Sequence, residues 1–368
     1  MTKAAVHVGL EQPLEIRDDI EVEGPKAGEL KVRIAASGVC HSDLSVQNGT
    51  IPLPPPIVLG HEGAGVVEEV GEGVTGFEPG DHVVLTFVPQ CKECFFCKRG
   101  QGFMCEKAAM LNMGGMLDGT KRLSSGGQPL SQMAGCGTFS GVTIAPAISA
   151  VKIDKDVPLT SAALIGCGVQ TGVGAALNTA SIQKGDTVAV IGCGGVGLNV
   201  IQGAKIAGAE RIIAIDMVDS KLQMAKEFGA TDFVNAGEGD PVGQVNGLTG
   251  KGVDAAFEVI GLGPTIEQAI NMTRPGGEAI LVGVPRMDVM LNLNAAFTFL
   301  YTAKTVKGCW YGSTNADKDV PMLLDLYKKG ELKLDELISR EIKVDQVNEA
   351  FDAMKSGEVA RSVIVHEH

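Results

Sequence analysis

The sequence predicts an α/β protein: a doubly wound, parallel six-stranded sheet together with a second domain of short β segments arranged as a partly closed barrel. Three observations predict it. The chain has 368 residues, beyond the ~250–300 at which a single core stops growing, so two domains are expected. Up to about residue 150 it reads as short Val-, Ile- and Leu-rich segments broken by Gly and Pro, and from about residue 185 β-prone segments alternate with helical ones. Hydrophobic residues make up 45% and charged residues 20%, the balance of a globular chain.

In the first region, segments 29–36, 65–70 and 81–87 are β-prone and bounded by Gly-Glu, Val-Gly-Glu-Gly or Pro-Gly-Asp turns. In the second, segments 187–192, 211–216, 231–235, 254–259, 278–284 and 305–311 are six candidate parallel strands. Between them, 196–206, 220–228 and 265–272 carry apolar residues at helical spacing, with Asp219 or Ser220 suited to cap the second helix. Strands alternating with crossover helices imply a doubly wound sheet. Two further helices are expected at 320–329 and 344–356, then a strand at 362–366 that has no partner among the six. The tail is therefore expected to return to the first domain, giving boundaries at 1–168, 169–308 and 309–368.

A net charge of −13 with no long Lys/Arg block opposes non-specific binding to nucleic acid or anionic membrane. No uninterrupted apolar run reaches 18 residues, because the stretches 162–177 and 188–209 are broken by Gly and polar residues, so no membrane span is expected. The N-terminus lacks an apolar core followed by a small-residue cleavage site, which points to the cytoplasm. Four of the nine cysteines crowd into positions 91–105, and in a reducing compartment such crowding points to metal rather than disulfides. His7, His366 and His368 read as solvated surface groups, His82 as a turn or strand residue, and Cys136 and Cys309 as small packed thiols.

Gly192-Cys193-Gly194-Gly195-Val196-Gly197 fits G-x-G-x-x-G, follows an expected strand, opens an expected helix and precedes Asp216 by nineteen residues counted from Gly197. Gly192 would permit the tight turn, Gly194 would let pyrophosphate approach backbone N–H groups, and Gly197 would let helix and strand pack closely. The helix N-terminus offers partial positive charge to the phosphates. Asp216 can accept hydrogen bonds from a ribose diol but would repel a 2′-phosphate, which favours NAD over NADP. Cys193 itself reads as a small loop residue.

Cys91, Cys94, Cys97 and Cys105 are spaced C-x₂-C-x₂-C-x₇-C. Four thiolates can close a tetrahedral structural zinc site. The rival iron–sulfur pattern ends in a three-residue gap and a Pro, whereas the last gap here is seven with no Pro following. Cys40, His61 and Cys167 are scattered, and spacing alone does not join them. Two thiolates and an imidazole would leave a fourth tetrahedral position open for catalysis, but buried unliganded thiols and a core histidine fit the same pattern.

With these residues the sequence resembles the zinc-dependent medium-chain alcohol dehydrogenase family over essentially the whole chain. The resemblance rests on motifs in that family's order: Gly38-Val39-Cys40-His41-Ser42-Asp43, Gly60-His61-Glu62-Gly63-Ala64-Gly65, the four-cysteine lobe, Gly166-Cys167-Gly168, the glycine turn with Asp216, and Ala360-Arg361-Ser362-Val363. The stretch 107–138, with Met116-Leu117-Asp118-Gly119-Thr120, resembles the long loop of the dimeric members.

The resemblance implies a GroES-like catalytic domain with a structural zinc lobe, a Rossmann NAD-binding domain, one catalytic and one structural Zn²⁺ per chain, and a homodimer. It implies Cys40, His61 and Cys167 as catalytic zinc ligands, and Cys91, Cys94, Cys97 and Cys105 as the structural set. Asp43 would orient His61, Glu62 would sit behind the metal, and Ser42 would accept the alcohol proton. His41 and Arg361 would contact cofactor phosphates, Lys221 the adenosine ribose, and Thr171 and Val196 the nicotinamide. Ile51, Phe87 and Met110 would line the substrate pocket.

Two departures bear on function. Many liver-type members carry a His three residues after the Ser42 position, where this chain has Ser45, so the proton relay beyond Ser42 ends in water or His41. Members that oxidise the glutathione adduct of formaldehyde carry charged residues where this chain has Ile51 and Ala109. The expected reaction is therefore reversible hydride transfer between a primary, apolar alcohol and NAD. The alternative is oxidation of an S-hydroxymethyl adduct of a different low-molecular-weight thiol. A zinc-ribbon interaction module is the remote third reading, and the net charge opposes a nucleic-acid partner for it.

Overall fold

The computed structural model describes residues 1–357 and 361–367; Ala360 of the last motif and His368 lie outside them. The chain forms two compact units, Met1–Gly168 with Asn315–His368, and Val169–Thr314. The second division falls six residues beyond the expected 308/309. Tyr311 holds that segment in the second unit, its hydroxyl accepting from the buried Gln170 amide at 2.7 Å.

In the unit Val169–Thr314 six strands lie in the order Asp232–Asn235, Arg211–Asp216, Thr187–Ile191, Val253–Glu258, Thr273–Leu281, Thr305–Gly308, every neighbouring pair parallel. In sequence order this is 3-2-1-4-5-6, the doubly wound arrangement. Parallel strands are covered on both faces, hence the continuous apolar runs. Ala189, Ile191, Ile213, Ile215, Val234 and Ala256 form one buried cluster of that sheet. The helix Asp219–Phe228 is capped by Val218 without a side-chain bond, not by Asp219 or Ser220. Those two residues lie inside the first turn, where the carboxylate of Asp219 complements the helix dipole.

Among the described residues the other unit holds twelve strands in two sheets. Thr2–His7, Glu15–Val22, Leu123–Ser125, Gln128–Gln132 and Ile57–Val58 close completely into a small barrel, because Ile57–Val58 pairs with both Thr2–His7 and Gln128–Gln132. Beside it runs a seven-stranded sheet centred on Glu29–Gly38. The closing strand Ser362–Val365 pairs antiparallel with Glu29–Gly38, and this is how the tail joins the first unit.

This sheet positions the site through its register. Glu29–Gly38 and Glu62–Val70 run antiparallel with Gly38 opposite Glu62, and Ser362–Val365 sets Val363 opposite the same Gly38. Cys40, His61 and Arg361, each one or two residues beyond a strand end, are therefore delivered to one place. Gly38 must lack a side chain here, since a Cβ would collide with the Glu62 carboxylate.

A continuous helical stretch, Leu159–Thr179, carries Cys167. With 21 residues and a mean hydropathy of 1.3 it is long and apolar enough to cross a membrane, although no uninterrupted apolar run was expected. It is a core helix, because 83% of the window is buried inside the protein. Its hydrogen bonding widens to the π pattern over Ile165–Val169, a local widening often found at functional positions.

His7 corrects the expectation of a surface group. It is fully buried at the end of Thr2–His7, and neither ring nitrogen has a hydrogen-bond partner among the described residues. Burial lowers its pKa below the ordinary 6.5. The folded state therefore keeps His7 neutral while the unfolded chain takes up a proton below that pH, so stability is full above it and falls as pH drops. His7→Leu should lose less melting temperature than the parent between about pH 7.5 and about pH 5.5 in parallel calorimetric scans.

Candidate metal centre and nucleotide site

Cys40 precedes the short helix His41–Gln47, whose third residue, Asp43, is fully buried. The Asp43 carboxylate accepts from the Cys40 N–H at 3.0 Å and the Gly60 N–H at 2.9 Å, and its Oδ1 lies 3.2 Å from His61 Nδ1. With Nδ1 so engaged, His61 Nε2 is buried with no hydrogen-bond partner among the described residues. One donor atom each from Cys40, His61, Glu62 and Cys167 lies within 4.8 Å of every other. A buried nitrogen without a partner among soft sulfur donors is the signature of a cation site, and a Cys₂His set is the one known from alcohol dehydrogenases. The residues fit a zinc ion.

The charges around this site are mutually dependent. The Cys40 thiol is held well below its usual pKa, first by its hydrogen bond with Cys167 and then by His61, while burial opposes the shift. Burial also disfavours a charged His61, but Asp43 and Cys40 together outweigh it and hold that imidazole well above its usual value. Burial pushes the Glu62 carboxyl up to about 7 against the pull of Arg361. Glu62 accepts from the Gly168 N–H at 3.0 Å and forms a buried ion pair with the Arg361 guanidinium. Arg361, expected to meet cofactor phosphate, is thus found bonded to Glu62.

Ser42 stands beside the metal set, its hydroxyl 3.8 Å from the Cys40 sulfur. The rings of Phe87 and His61 meet edge to face with centroids 5.7 Å apart. The other expected pocket residues are less closely tied to the centre. Ile51 is half-buried against the cluster containing Leu44 and Val46. Met110, in the helix Ala108–Leu111, is 44% exposed. His41 is exposed at the first position of its helix.

The second cysteine set also converges, with Cys91, Cys94, Cys97 and Cys105 sulfurs within 4.8 Å of one another. The Cys91–Cys97 sulfur separation is 3.9 Å, close to the ~3.8 Å edge of a tetrahedron with ~2.3 Å Zn–S bonds. Cys94 N–H donates to the Cys91 sulfur at 3.4 Å and Cys97 N–H to the Cys94 sulfur at 3.5 Å. Burial opposes ionisation of Cys94, but the backbone bonds of Cys97 and Glu106 bring its pKa down to about 6. All nine cysteines are free of disulfides.

Of the expected nucleotide residues, Thr171, Gly192, Gly194, Gly195, Val196, Gly197, Asp216 and Lys221 lie in the Val169–Thr314 unit, and His41 and Arg361 in the other. Gly192 takes φ +97° at the turn after Thr187–Ile191. A Cβ on Gly197 would collide with the Gly192 carbonyl, whereas one on Gly194 would meet nothing within 4 Å. The turn thus has one glycine for tight packing and another opening onto free space at the N-terminus of the helix Gly195–Ala207, a place suited to a phosphate. Val196 is half-buried in that helix, and Thr171 half-buried in Gln170–Gly174. Asp216 ends its strand and accepts from the N–H groups of Cys193 at 2.9 Å and Val218 at 3.1 Å. Burial and the Asp216 charge push the Cys193 thiol above its usual pKa, and Lys221 is near enough to oppose them.

Sequence reasoning missed Glu258. It ends the strand Val253–Glu258 beside Ile191, fully buried, and one oxygen accepts from Ile260 N–H, Gly261 N–H and the Thr265 hydroxyl. These bonds fix the loop that seats Ile260 against Gly192. An acid closing an apolar strand next to a glycine turn was the available signal.

Fold and site together define a zinc-binding, nucleotide-dependent dehydrogenase. Residues 26–155 match the model of the alcohol dehydrogenase GroES-like domain and residues 195–329 that of zinc-binding dehydrogenases. The chain is 44% identical to a protein named alcohol dehydrogenase class-3 from Drosophila melanogaster, over 98% of this chain and 97% of that one. It is 39% identical to an S-(hydroxymethyl)glutathione dehydrogenase from Paracoccus denitrificans, over 99% and 100%. The crystal structure of benzyl alcohol dehydrogenase from Acinetobacter calcoaceticus superposes with a TM-score of 0.94 at 31% identity, covering 100% of this chain and 99% of that one. The chain belongs to the zinc-dependent medium-chain alcohol dehydrogenases, enzymes that use zinc and NAD(P).

Asp43→Asn should weaken zinc retention at the Cys40–His61–Cys167 site by about 10–100-fold, the usual cost of losing a ligand's orienting partner. Metal analysis during chelator titration should show one of two zinc ions per chain released early and the other unaffected.

Proposed function

We propose that this enzyme oxidises a primary hydroxymethyl group with NAD, and that its substrate is the S-hydroxymethyl adduct of a low-molecular-weight thiol. The observation that carries the substrate is the full-length similarity to relatives named class-3 alcohol dehydrogenase and S-(hydroxymethyl)glutathione dehydrogenase. This reverses the preference drawn from the sequence, which favoured an apolar alcohol. Ile51 and Ala109 offer no charge to a peptide such as glutathione, so a less charged thiol is the better partner. A plain apolar alcohol is the second reading, favoured by those residues and by the likeness to a benzyl alcohol dehydrogenase.

Cys40, His61 and Cys167 would hold the catalytic zinc, and Cys91, Cys94, Cys97 and Cys105 the structural one. When bound, the catalytic ion supplies the acidity an alcohol lacks: a pKa drop from roughly 15.7 to about 7, as for zinc-bound water, is on the order of 12 kcal/mol, an upper figure with thiolate ligands. Ser42, beside Cys40, takes the hydroxyl proton, and exposed His41 passes it to solvent. Ile51, Phe87 and Met110 keep water from the reacting carbon. Glycines 192, 194, 195 and 197 seat the pyrophosphate, Asp216 and Lys221 bind the adenosine ribose, and Val196 and Thr171 flank the nicotinamide.

We further propose a cytoplasmic homodimer. Nine cysteines without a disulfide suit a reducing compartment. Thr305–Gly308 is one of the two edges of the six-stranded sheet, and Met287, Met290, Phe297, Leu300 and Tyr301 of the preceding segment are all more than two-thirds exposed. An unpaired edge beside exposed apolar groups suits pairing with a second copy. Sedimentation velocity should give a dimer that Tyr301→Asp converts to monomer.

Steady-state kinetics decide the substrate. kcat/KM for hydroxymethyl adducts of glutathione and of small uncharged thiols should exceed that for benzyl alcohol by at least about tenfold, the order of discrimination one pocket contact can give. The reverse order transfers the assignment to apolar alcohols. On the preferred substrate, Ser42→Ala should lower kcat by about 10²–10⁴ with zinc content intact.

A further inference from the structure

The strands Arg211–Asp216 and Asp232–Asn235 run parallel in a register that sets Asp216 beside Asn235 at their C-terminal ends. The Asp216 carboxylate is not free to swing away, because each oxygen already accepts a backbone N–H, from Cys193 and from Val218. Asn235 anchors a second carboxylate at the same end of the sheet. Its Nδ2 donates to Asp219 Oδ1 at 2.7 Å, while its Oδ1 accepts from the Gly237 N–H at 2.9 Å. Asp219 opens the helix Asp219–Phe228 and is exposed to solvent. From Asp216 to Lys221 the chain reads Asp-Met-Val-Asp-Ser-Lys, so this turn presents two fixed negative charges before its single cation.

We infer that Asp219, held by Asn235, is a second determinant of NAD over NADP, acting beside Asp216. The inference rests on the proposed seating of the adenosine ribose at Asp216. The two cofactors differ there by a 2′-phosphate, which carries close to two negative charges at neutral pH. Asp216 alone would oppose that group at contact distance; Asp219 adds repulsion across the width of the turn and competes with Lys221 for the phosphate. NAD, with a neutral hydroxyl at this place, meets neither penalty. Because Asp219 is exposed, water and salt screen its field, so its share is a few-fold rather than the large factor expected of Asp216.

The test compares, for NADP and NAD, the equilibrium dissociation constant from calorimetric titration and kcat/KM in the parent, D219N, N235A, D216A and D216A/D219N, and the NADP/NAD ratio should move alike in both. D219N keeps an acceptor for the Asn235 amide and removes only the charge. It should raise the NADP/NAD ratio about fivefold at low ionic strength, an effect that shrinks toward unity at about 0.5 M salt. N235A, which frees the carboxylate without discharging it, should shift the ratio in the same direction by less. The double variant should exceed D216A alone. If D219N leaves the ratio within about twofold of the parent, and the double variant matches D216A while D216A itself shifts strongly, this inference fails and the seating of the ribose at Asp216 stands. If D216A also leaves the ratio unchanged, that seating fails, and the inference with it.

Discussion

One buried carboxylate organises the metal centre. Asp43, without solvent contact, engages Cys40 N–H, Gly60 N–H and His61 Nδ1 together. It therefore ties the segment carrying Cys40 to the segment carrying His61, and it leaves His61 Nε2 as the imidazole nitrogen that could face an ion. Leaving any of those buried donors unmet would cost about 1–3 kcal/mol, so ligand geometry and local folding are the same constraint. The capping of the helix His41–Gln47 depends on it too, since the Asp43 side chain closes back on the Cys40 backbone.

Around that carboxylate the seven-stranded sheet supplies alignment. Gly38 faces Glu62 across one strand pair and Val363 across another, so a single residue without a side chain is the meeting point of three distant stretches of chain. Glu62 and Arg361 then neutralise one another within the resulting cluster. A buried carboxylate would be costly alone, because it loses its hydration and, beside a Cys40 thiolate, meets a like charge in a medium of low dielectric. Arg361, bonded to Glu62, is the compensating cation.

The nucleotide unit is built on a different plan. Its anion site consists of backbone: an αL turn at Gly192, open space over Gly194, and the amides at the start of Gly195–Ala207. At the rim, backbone N–H groups hold the Asp216 carboxylate and the Asn235 amide holds that of Asp219. Glu258 performs the same kind of anchoring for the loop next to Gly192.

What the sequence determined by itself was whatever is encoded locally. The six parallel strands, the glycine turn with Asp216, and the four-cysteine lobe depend on spacing within a few dozen residues, and periodicity and ligand arithmetic read such patterns directly. Cys40, His61 and Cys167 span more than a hundred positions, and only their resemblance to a family joined them before the sheet register did so physically. Other features belong to the tertiary structure alone. His7 reads as a solvated surface group and is buried; the partner of Arg361 within the chain, Glu62, lies 299 positions away; Ile57–Val58, two residues long, closes a barrel. In each case the deciding quantity is which distant groups exclude water from a side chain or backbone edge, and that is set by packing between segments far apart in the chain, which no local pattern encodes.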